Sequence, residues 1–165
     1  MAVEKFNQLP RRDFPFKLLH DWEPIGNRAY SIKLTAKNER LGLFIKMYWT
    51  RTEDFATRVA RALAAMAQVT DVPVPVLVPV GVYDQTLVFP LGEPSRVIRA
   101  GVTPQQTNLY RSIYNNPSFR EIAGQENLSL AWAFNTVEIS RTRYLIDVFE
   151  DGDQEILHAL GKTSF

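Results

Sequence analysis

Lys46 is the residue of this sequence that is best placed for chemistry on a ligand. It lies in the middle of an apolar stretch at 41–49, with Phe44 and Tyr48 on the same side of the alternating pattern. Facing inward, its ammonium could bind a phosphate and would need an acidic partner, because an unpaired buried ammonium is costly. Facing outward, it would extend past the two rings into solvent. The residues alone leave both arrangements open.

Asp147 is the second unusual residue, because strands disfavour aspartate and its neighbours at 144–148 are otherwise apolar. A buried carboxylate needs several hydrogen bonds or a cation. Arg141 and Arg143 closely precede Asp147 in the sequence. We therefore expect an ion pair between the Asp147 carboxylate and one of these two guanidinium groups.

Several kinds of catalytic chemistry are excluded by residue types that are absent or unsuitably spaced. The chain has no cysteine, which rules out disulfides, thiolate zinc sites and cysteine nucleophiles. His20 and His158 are the only histidines and do not show metal-ligand spacing. The sequence has no phosphate-binding Gly-x-x-x-x-Gly-Lys loop, no dinucleotide fingerprint and no Gly-x-Ser-x-Gly nucleophile elbow. The residues therefore predict no metal site and no catalytic residue.

Charge is unevenly distributed along the chain, although the formal net charge is only +1. Residues 1–62 hold 12 Lys and Arg against 7 Asp and Glu, whereas residues 63–165 hold 7 against 11. A basic half could meet phosphates or an acidic partner. The cations are scattered, however, with Arg11-Arg12 as the only adjacent pair, and they do not alternate with aromatic residues. A nucleic-acid partner is therefore not expected.

Length and composition predict one compact domain outside the membrane. The 165 residues allow a sizeable core, and 45% hydrophobic with 22% charged residues is ordinary globular composition. The longest apolar stretch, 72–82, is interrupted by prolines and cannot span a bilayer as a helix. Residues 1–10 lack the apolar core of a signal peptide. Together with the absence of cysteine, these features favour the cytoplasm.

In the first part of the chain, the apolar pattern predicts a small antiparallel sheet with one packed helix. Residues 1–22 are expected to form an extended leader, because Pro10 and Pro15 oppose regular structure. Alternation then predicts strands, and three-to-four spacing predicts a helix. In chain order, the predicted elements are a strand at 30–34, a turn at 37–40, a strand at 41–49, a helix at 52–68, an extended segment at 72–81, a hairpin with strands at 77–82 and 87–89, and a break at 90–94.

The remaining residues predict a mostly helical second part. Thr103 and Pro104 are typical of a helix start, a short helix fits 118–123, and Asn127 could cap a further helix. Residues 137–149 either continue that helix or form a hairpin within 136–148, and their β-branched residues favour the hairpin. The predicted fold class is therefore α+β. Its parts are a leader at 1–22, a sheet with a packed helix at 23–94 and a mostly helical part at 95–165, all in a single compact domain.

The element order of residues 23–94 resembles the N-terminal lobe of the protein-kinase-like fold, in particular that of aminoglycoside phosphotransferases and lipopolysaccharide kinases. The segments that carry the resemblance are 25–30, 43–48, 72–81 and 87–94. The resemblance implies that Lys46 pairs with the phosphates of ATP. It also implies that Asn135 and Asp147, which lie 12 positions apart on either side of a β-hairpin, bind Mg²⁺ through oxygen ligands. Lys46, Asn135 and Asp147 are thus the implied cofactor-binding residues.

Four departures from the kinase pattern indicate a reduced fold that does not catalyse phosphoryl transfer. Leu130 stands where the catalytic aspartate is expected, and residues 58–61 contain no glutamate to pair with Lys46. Gly26 stands alone in place of a glycine-rich loop. Only about 18 residues follow Asp147, which is too few for a full second lobe.

We therefore expect a non-catalytic, pseudokinase-like binding or scaffolding protein that uses no cofactor and contacts a partner protein. The expected contact surfaces are the aromatic leader and the oppositely charged halves. One alternative is a small nucleotide-binding phosphotransferase that uses ATP and Mg²⁺ with Lys46, Asn135 and Asp147. A second alternative is an accessory factor that associates with nucleic acid through the basic half.

Overall fold

The computed structural model describes residues 22–25, 34–48, 54–83 and 85–150. These residues belong to two compact units. The first unit contains the described residues up to Thr57 and those from Pro79 to Leu91, and the second contains Arg58–Val78 and Gly92–Glu150. Antiparallel sheets and helices are both present, so the predicted α+β class is confirmed. Of the predicted leader, only Trp22 lies within the described residues, and it is buried.

The first unit contains a five-stranded antiparallel sheet. Its strand order is β1-β2-β3-β5-β4, so β2, β3 and β5 are interior strands and β1 and β4 are edge strands. In β2, residues 35–38 alternate between half-buried and buried side chains, whereas four consecutive residues of β5, 86–89, are buried. Their bounds are β1 Glu23–Pro24, β2 Leu34–Asn38, β3 Leu43–Met47, β4 Gly81–Tyr83 and β5 Thr86–Pro90.

The turn between β2 and β3 lies slightly later in the chain than the sequence predicted. Asn38 is the last residue of β2, and its side-chain Oδ1 accepts a hydrogen bond from the Leu41 backbone N–H at 3.0 Å. Gly42 ends the turn with φ of +62°, a conformation that glycine adopts without steric cost. The predicted strand at 30–34 lies, apart from Leu34, outside the described residues. A local asparagine turn thus sets where the strand ends.

Helix α1 covers Phe55–Met66, within the range predicted from the apolar spacing. The residues at that spacing are buried, namely Phe55, Val59, Leu63 and Met66. Within the first unit, the Phe55 ring meets the Tyr48 ring edge-on at 5.0 Å between centroids. Thr52, the first residue of the predicted helix, lies outside the described residues. No helix in the described part of the chain is long and apolar enough to cross a membrane.

The second unit combines helices with a three-stranded antiparallel sheet. The sheet order is β6-β7-β8, which makes β7 the interior strand. The expectation of a mostly helical second part is not supported, because strands occupy much of residues 93–146. The bounds are β6 Glu93–Ile98, α2 Pro104–Tyr114, α3 Pro117–Gln125, β7 Phe134–Ile139 and β8 Thr142–Ile146.

A threonine side chain caps the N-terminus of α2, and an asparagine side chain caps the N-terminus of α3. Thr103 accepts a hydrogen bond from the backbone N–H of Gln106 at the start of α2, and Asn116 does the same for Phe119 in α3. The predicted helix beginning at Asn127 is wrong. Asn127 has φ of +53° and follows α3, and the N–H of Leu128 donates to the carbonyl of Ala123. This arrangement is a helix C-terminal Schellman motif, for which asparagine is also suited.

Strands β7 and β8 form a hairpin, which is one of the two arrangements that the sequence left open for this segment. Its turn residues Ser140 and Arg141 have φ of +49° and +68°. Positive φ at both positions is the geometry that matches the twist of the flanking strands. The outer edge of β8 is covered by the proline-rich segment, because Leu145 exchanges backbone hydrogen bonds with Pro75 and Leu77. Coverage of this kind protects a sheet edge from unintended pairing.

Gly92 and Gly124 form a matched pair for testing the packing of the second unit. A Cβ at Gly92 would lie 2.8 Å from Cγ1 of Ile139 and 2.9 Å from Cβ of Val137, whereas a Cβ at Gly124 meets nothing within 4 Å. We expect Gly92→Ala to lower the free energy of unfolding by about 1–3 kcal/mol through overpacking. Gly124→Ala should raise it by about 0.5–1 kcal/mol, because alanine favours the helix.

Urea unfolding of both variants beside the wild type measures these changes. Opposite signs for the two substitutions are the expected outcome. A Gly92→Ala variant as stable as Gly124→Ala would contradict the close approach of Gly92 to β7.

Candidate functional site

Lys46 lies in the interior of the first unit. It is the fourth of the five residues of β3, opposite Thr35 of β2 and Leu87 of β5, and only 5% of it is exposed. Tyr48, on the same side of the strand, is buried as well. The structure therefore differs from the arrangement in which Lys46 extends into solvent. At this burial the ammonium must be solvated by groups of the protein.

Asn135 and Asp147 contact each other in the second unit. The Asn135 amide Nδ2 donates a hydrogen bond to Oδ2 of Asp147 at 2.6 Å. Asn135 is the second residue of β7, and Asp147 follows directly after β8. The sequence predicted an ion pair between Asp147 and Arg141 or Arg143, and the structure shows this contact with the Asn135 amide. Of the three predicted site residues, the structure brings Asn135 and Asp147 together, and Lys46 belongs to the other unit.

The backbone at Asp147 is in the left-handed region, with φ of +56°. Non-glycine residues rarely adopt this conformation, and aspartate tolerates it better than most. It ends the regular pairing of β8 with β7. Pairing resumes beyond it, because Leu130 pairs with Phe149 and the Ala131 N–H donates to the Val148 carbonyl. Asp147 thus lies where the antiparallel pairing of these two chain segments is interrupted, between the Asn135–Ile146 pair and the Leu130–Phe149 pair.

The two sides of this interruption differ in length. Asn135 pairs with Ile146, and Leu130 pairs with Phe149. Four residues, 131–134, therefore face only two, 147 and 148. A bulge of this kind leaves the extra residues outside the ladder. Trp132 is among the extra residues, and 67% of it is exposed.

Trp132 is the outer end of a series of four aromatic rings, which we call the aromatic row: Phe134, Tyr110, Tyr114 and Trp132. Ring centroids are 5.7 Å apart for Phe134 and Tyr110, 5.2 Å for Tyr110 and Tyr114, and 6.4 Å for Tyr114 and Trp132. Exposure rises along the row, from a fully buried Phe134 through a half-buried Tyr114 to the exposed Trp132. The row therefore connects the core of the second unit to its surface.

Arg120 adds a cation to the aromatic row. Its guanidinium carbon lies 4.6 Å from the centroid of the Tyr114 ring, and its Nη2 donates to Oδ1 of Asn115 at 3.2 Å. The hydrogen bond and the ring together hold an exposed arginine in one position. Burial raises the pKa of Tyr110, as do the neighbouring Tyr114 and, more weakly, Glu150, while Arg120 opposes the shift. Tyr110 therefore stays neutral over a wider pH range than a free tyrosine.

The sequence did not reveal the aromatic row. The helix predicted to begin at Asn127 would include Trp132 and Phe134 among its apolar members. The spacing of Tyr110 and Tyr114, four residues apart on α2, was the one available signal, because such residues are neighbours on a helix. The position of Trp132 in the row depends on pairing between segments that are far apart in the sequence, so local spacing does not predict it.

The described residues contain no group of three or more histidine, aspartate or glutamate side chains that could hold a metal ion. The chain matches no protein-family model, no curated protein and no solved structure. The aromatic row and the Asn135–Asp147 contact are therefore interpreted from their own geometry.

Tyr110 gives a pH-dependent test of the aromatic row. An unfolded tyrosine releases its proton near pH 10.0, and the folded state holds this proton more tightly. Above that pH the unfolded state binds fewer protons, so the free energy of unfolding should fall as pH rises. Tyr110→Phe should make this fall less steep.

Urea unfolding between pH 8 and pH 11 measures the slope, with Tyr83→Phe as the control because Tyr83 is an exposed tyrosine of the first unit. The slope for Tyr110→Phe should be smaller than the slope for this control. Equal slopes for Tyr110→Phe and the wild type would show that the burial of Tyr110 does not affect its titration.

Proposed function

We propose that the protein is a non-catalytic binding protein on a reduced kinase-like scaffold, and that it acts by contacting a partner protein. The aromatic row carries this proposal. Its accessible end consists of Trp132, Tyr114 and Arg120. Tryptophan, tyrosine and arginine are the residue types that contribute most of the binding energy in protein interfaces.

The support is the way in which Trp132 is held, beyond its exposure alone. Single apolar residues are common on protein surfaces and need no explanation. Trp132, however, stacks at 28° on Tyr114, which stacks at 14° on Tyr110. An aromatic side chain that is already held in place loses little conformational entropy on binding. This is the property expected of an anchor residue for a partner.

The non-catalytic part of the proposal is supported at two positions where a kinase-like enzyme would need acidic groups. Leu130, at the position of the expected base, is buried and pairs with Phe149. In α1, Arg58 donates to the Glu126 carbonyl at 2.9 Å, and Arg61 forms two hydrogen bonds with the Glu126 carboxylate. These side chains stabilise the end of α3. Both positions are thus occupied by side chains that contact other parts of the second unit and carry no acidic group.

The kinase-like part of the proposal is supported by element order. The elements follow one another as the resemblance requires. In chain order they are β2, a turn, β3 with Lys46, α1, the proline-rich segment and the β4–β5 hairpin. The helical extent of the second part is smaller than in the original expectation. A scaffold of this kind can retain the sheet and lose the catalytic residues, because fold and function are separable.

A small nucleotide-binding phosphotransferase is the second candidate, and the Asn135–Asp147 contact favours it. With the Asn135 amide nitrogen directed at one carboxylate oxygen, the amide oxygen and the other carboxylate oxygen would be the ligands for Mg²⁺. Magnesium is often held by one or two such groups together with nucleotide phosphates. Lys46 would then have to contact those phosphates.

Thermal unfolding with and without ATP and Mg²⁺ separates the two candidates. A ligand that binds only the folded protein raises the Tm. We expect no change in the wild-type Tm, because the proposed function requires no nucleotide. A rise that is lost in Lys46→Met, which keeps an unbranched side chain without the charge, and in Asp147→Asn would favour the phosphotransferase.

Photo-crosslinking in cells of the source organism tests the proposed contact directly. Benzoylphenylalanine replaces Trp132 in one variant and the exposed Tyr83 of the first unit in the control variant. We expect a discrete adduct of higher mass from position 132 and none from position 83, because only the aromatic row is proposed to meet the partner. The proposal fails if irradiation gives no adduct at 132 or the same adducts at both positions.

A further inference from the structure

We infer that the partner segment that binds the aromatic row is an acidic peptide, with a proline or aromatic residue packed on Trp132 and carboxylates paired with Arg111 and Arg120. This inference rests on the proposed function and specifies the chemistry of the partner. Three features of the surface carry it: the accessible indole, the two arginines beside Tyr114 and the balance of charge in the rest of the second unit.

The indole of Trp132 offers a flat apolar contact. With 67% of the residue exposed and one side directed to Tyr114, much of its surface is available to a partner. Burying an aromatic side chain of this size removes roughly 150–250 Å² from water. Proline and aromatic side chains are flat and rigid, so they cover an indole at a small cost in conformational entropy. The partner residue on Trp132 should therefore be of this type.

Two guanidinium groups border the aromatic row. Arg120 lies over Tyr114, and Arg111 is three residues before Tyr114 on α2, which makes them neighbours on the helix surface. Both arginines are exposed. Among the described residues, neither guanidinium has a carboxylate partner. Carboxylates of a bound segment would pair with these two guanidinium groups through charge-assisted hydrogen bonds.

The charge of the second unit favours an acidic peptide over nucleic acid. Residues 58–78 and 92–150 contain 8 arginines, no lysine and 7 acidic residues. Glu121 follows Arg120 directly, and Glu150 is close enough to Tyr110 to influence its pKa. Single-stranded nucleic acid needs a continuous track of cations along its phosphates. Two arginines between acidic groups can instead neutralise two carboxylates of a peptide.

Selection of random dodecapeptides displayed on phage tests the inference on the full chain. Peptides are selected on the wild type after removal of those that bind Trp132→Ala. We expect the selected peptides to carry net negative charge together with a proline or an aromatic residue. Fluorescence polarisation should then show the affinity falling about tenfold or more in Trp132→Ala and severalfold in Arg111→Gln and Arg120→Gln.

Val102→Ala is the control variant for these measurements. Val102 is an exposed apolar residue just before α2, whereas Tyr114 is at the other end of that helix. This variant should bind the selected peptides as the wild type does. Higher salt should weaken binding to the wild type more than binding to the double variant Arg111→Gln/Arg120→Gln, because exposed ion pairs are screened.

The other outcomes separate this inference from the proposed function. Neutral or basic peptides that require Trp132 would overturn the acidic partner and leave a protein-binding function in place. If no peptide requires Trp132, and a single-stranded oligothymidylate binds through Trp132 with strong salt dependence, both the inference and the proposed function are overturned. A selection that enriches no Trp132-dependent ligand of either kind also counts against both.

Discussion

The surface of the second unit depends on the hydrogen bond between Asn135 and Asp147 and on the left-handed backbone that accompanies it. Up to Ile146 the β7–β8 hairpin is a regular ladder. At Asp147 the chain turns away from that ladder, and the carboxylate is held by the amide of the strand that it leaves. Pairing then resumes two residues out of register, between Leu130 and Phe149. The residues left over in 131–134 include Trp132.

Displacement of Trp132 from the ladder has an energetic consequence. An indole that leaves roughly 150 Å² in water forgoes about 4 kcal/mol of hydrophobic stabilisation at 25 cal/mol per Å². Stacking on Tyr114 recovers part of this free energy, and a partner that covers the remaining surface recovers more. Phe134, two residues later, is fully buried and provides the fixed base of the row. The bulge therefore places one aromatic residue in the core and its near neighbour at the surface.

Local rules predicted those elements whose signals are local. Alternation indicated the strand around Lys46, and the threonine-proline pair at 103–104 indicated the start of α2, as observed. Asn127 shows where local rules fail, because asparagine is suited both to a helix N-cap and to the left-handed residue after a helix. The preceding helix α3 extends to Gln125, and this determines which role applies. The register mismatch between Leu130 and Phe149 could not be predicted, since it depends on pairing across the sheet.

Positions 58, 61 and 130, where the proposed kinase-like scaffold would need acidic groups, are occupied by side chains that stabilise the second unit. Arg58 and Arg61 both bind the end of α3, so a glutamate at either position would remove those contacts. Leu130 is buried within the resumed pairing, and an aspartate in its place would bury a carboxylate beside Phe149. Acidic substitutions at these positions would therefore destabilise the second unit at two separate points. The same pairing that buries Leu130 extrudes Trp132 two residues later, so the buried leucine and the exposed aromatic surface have one structural origin.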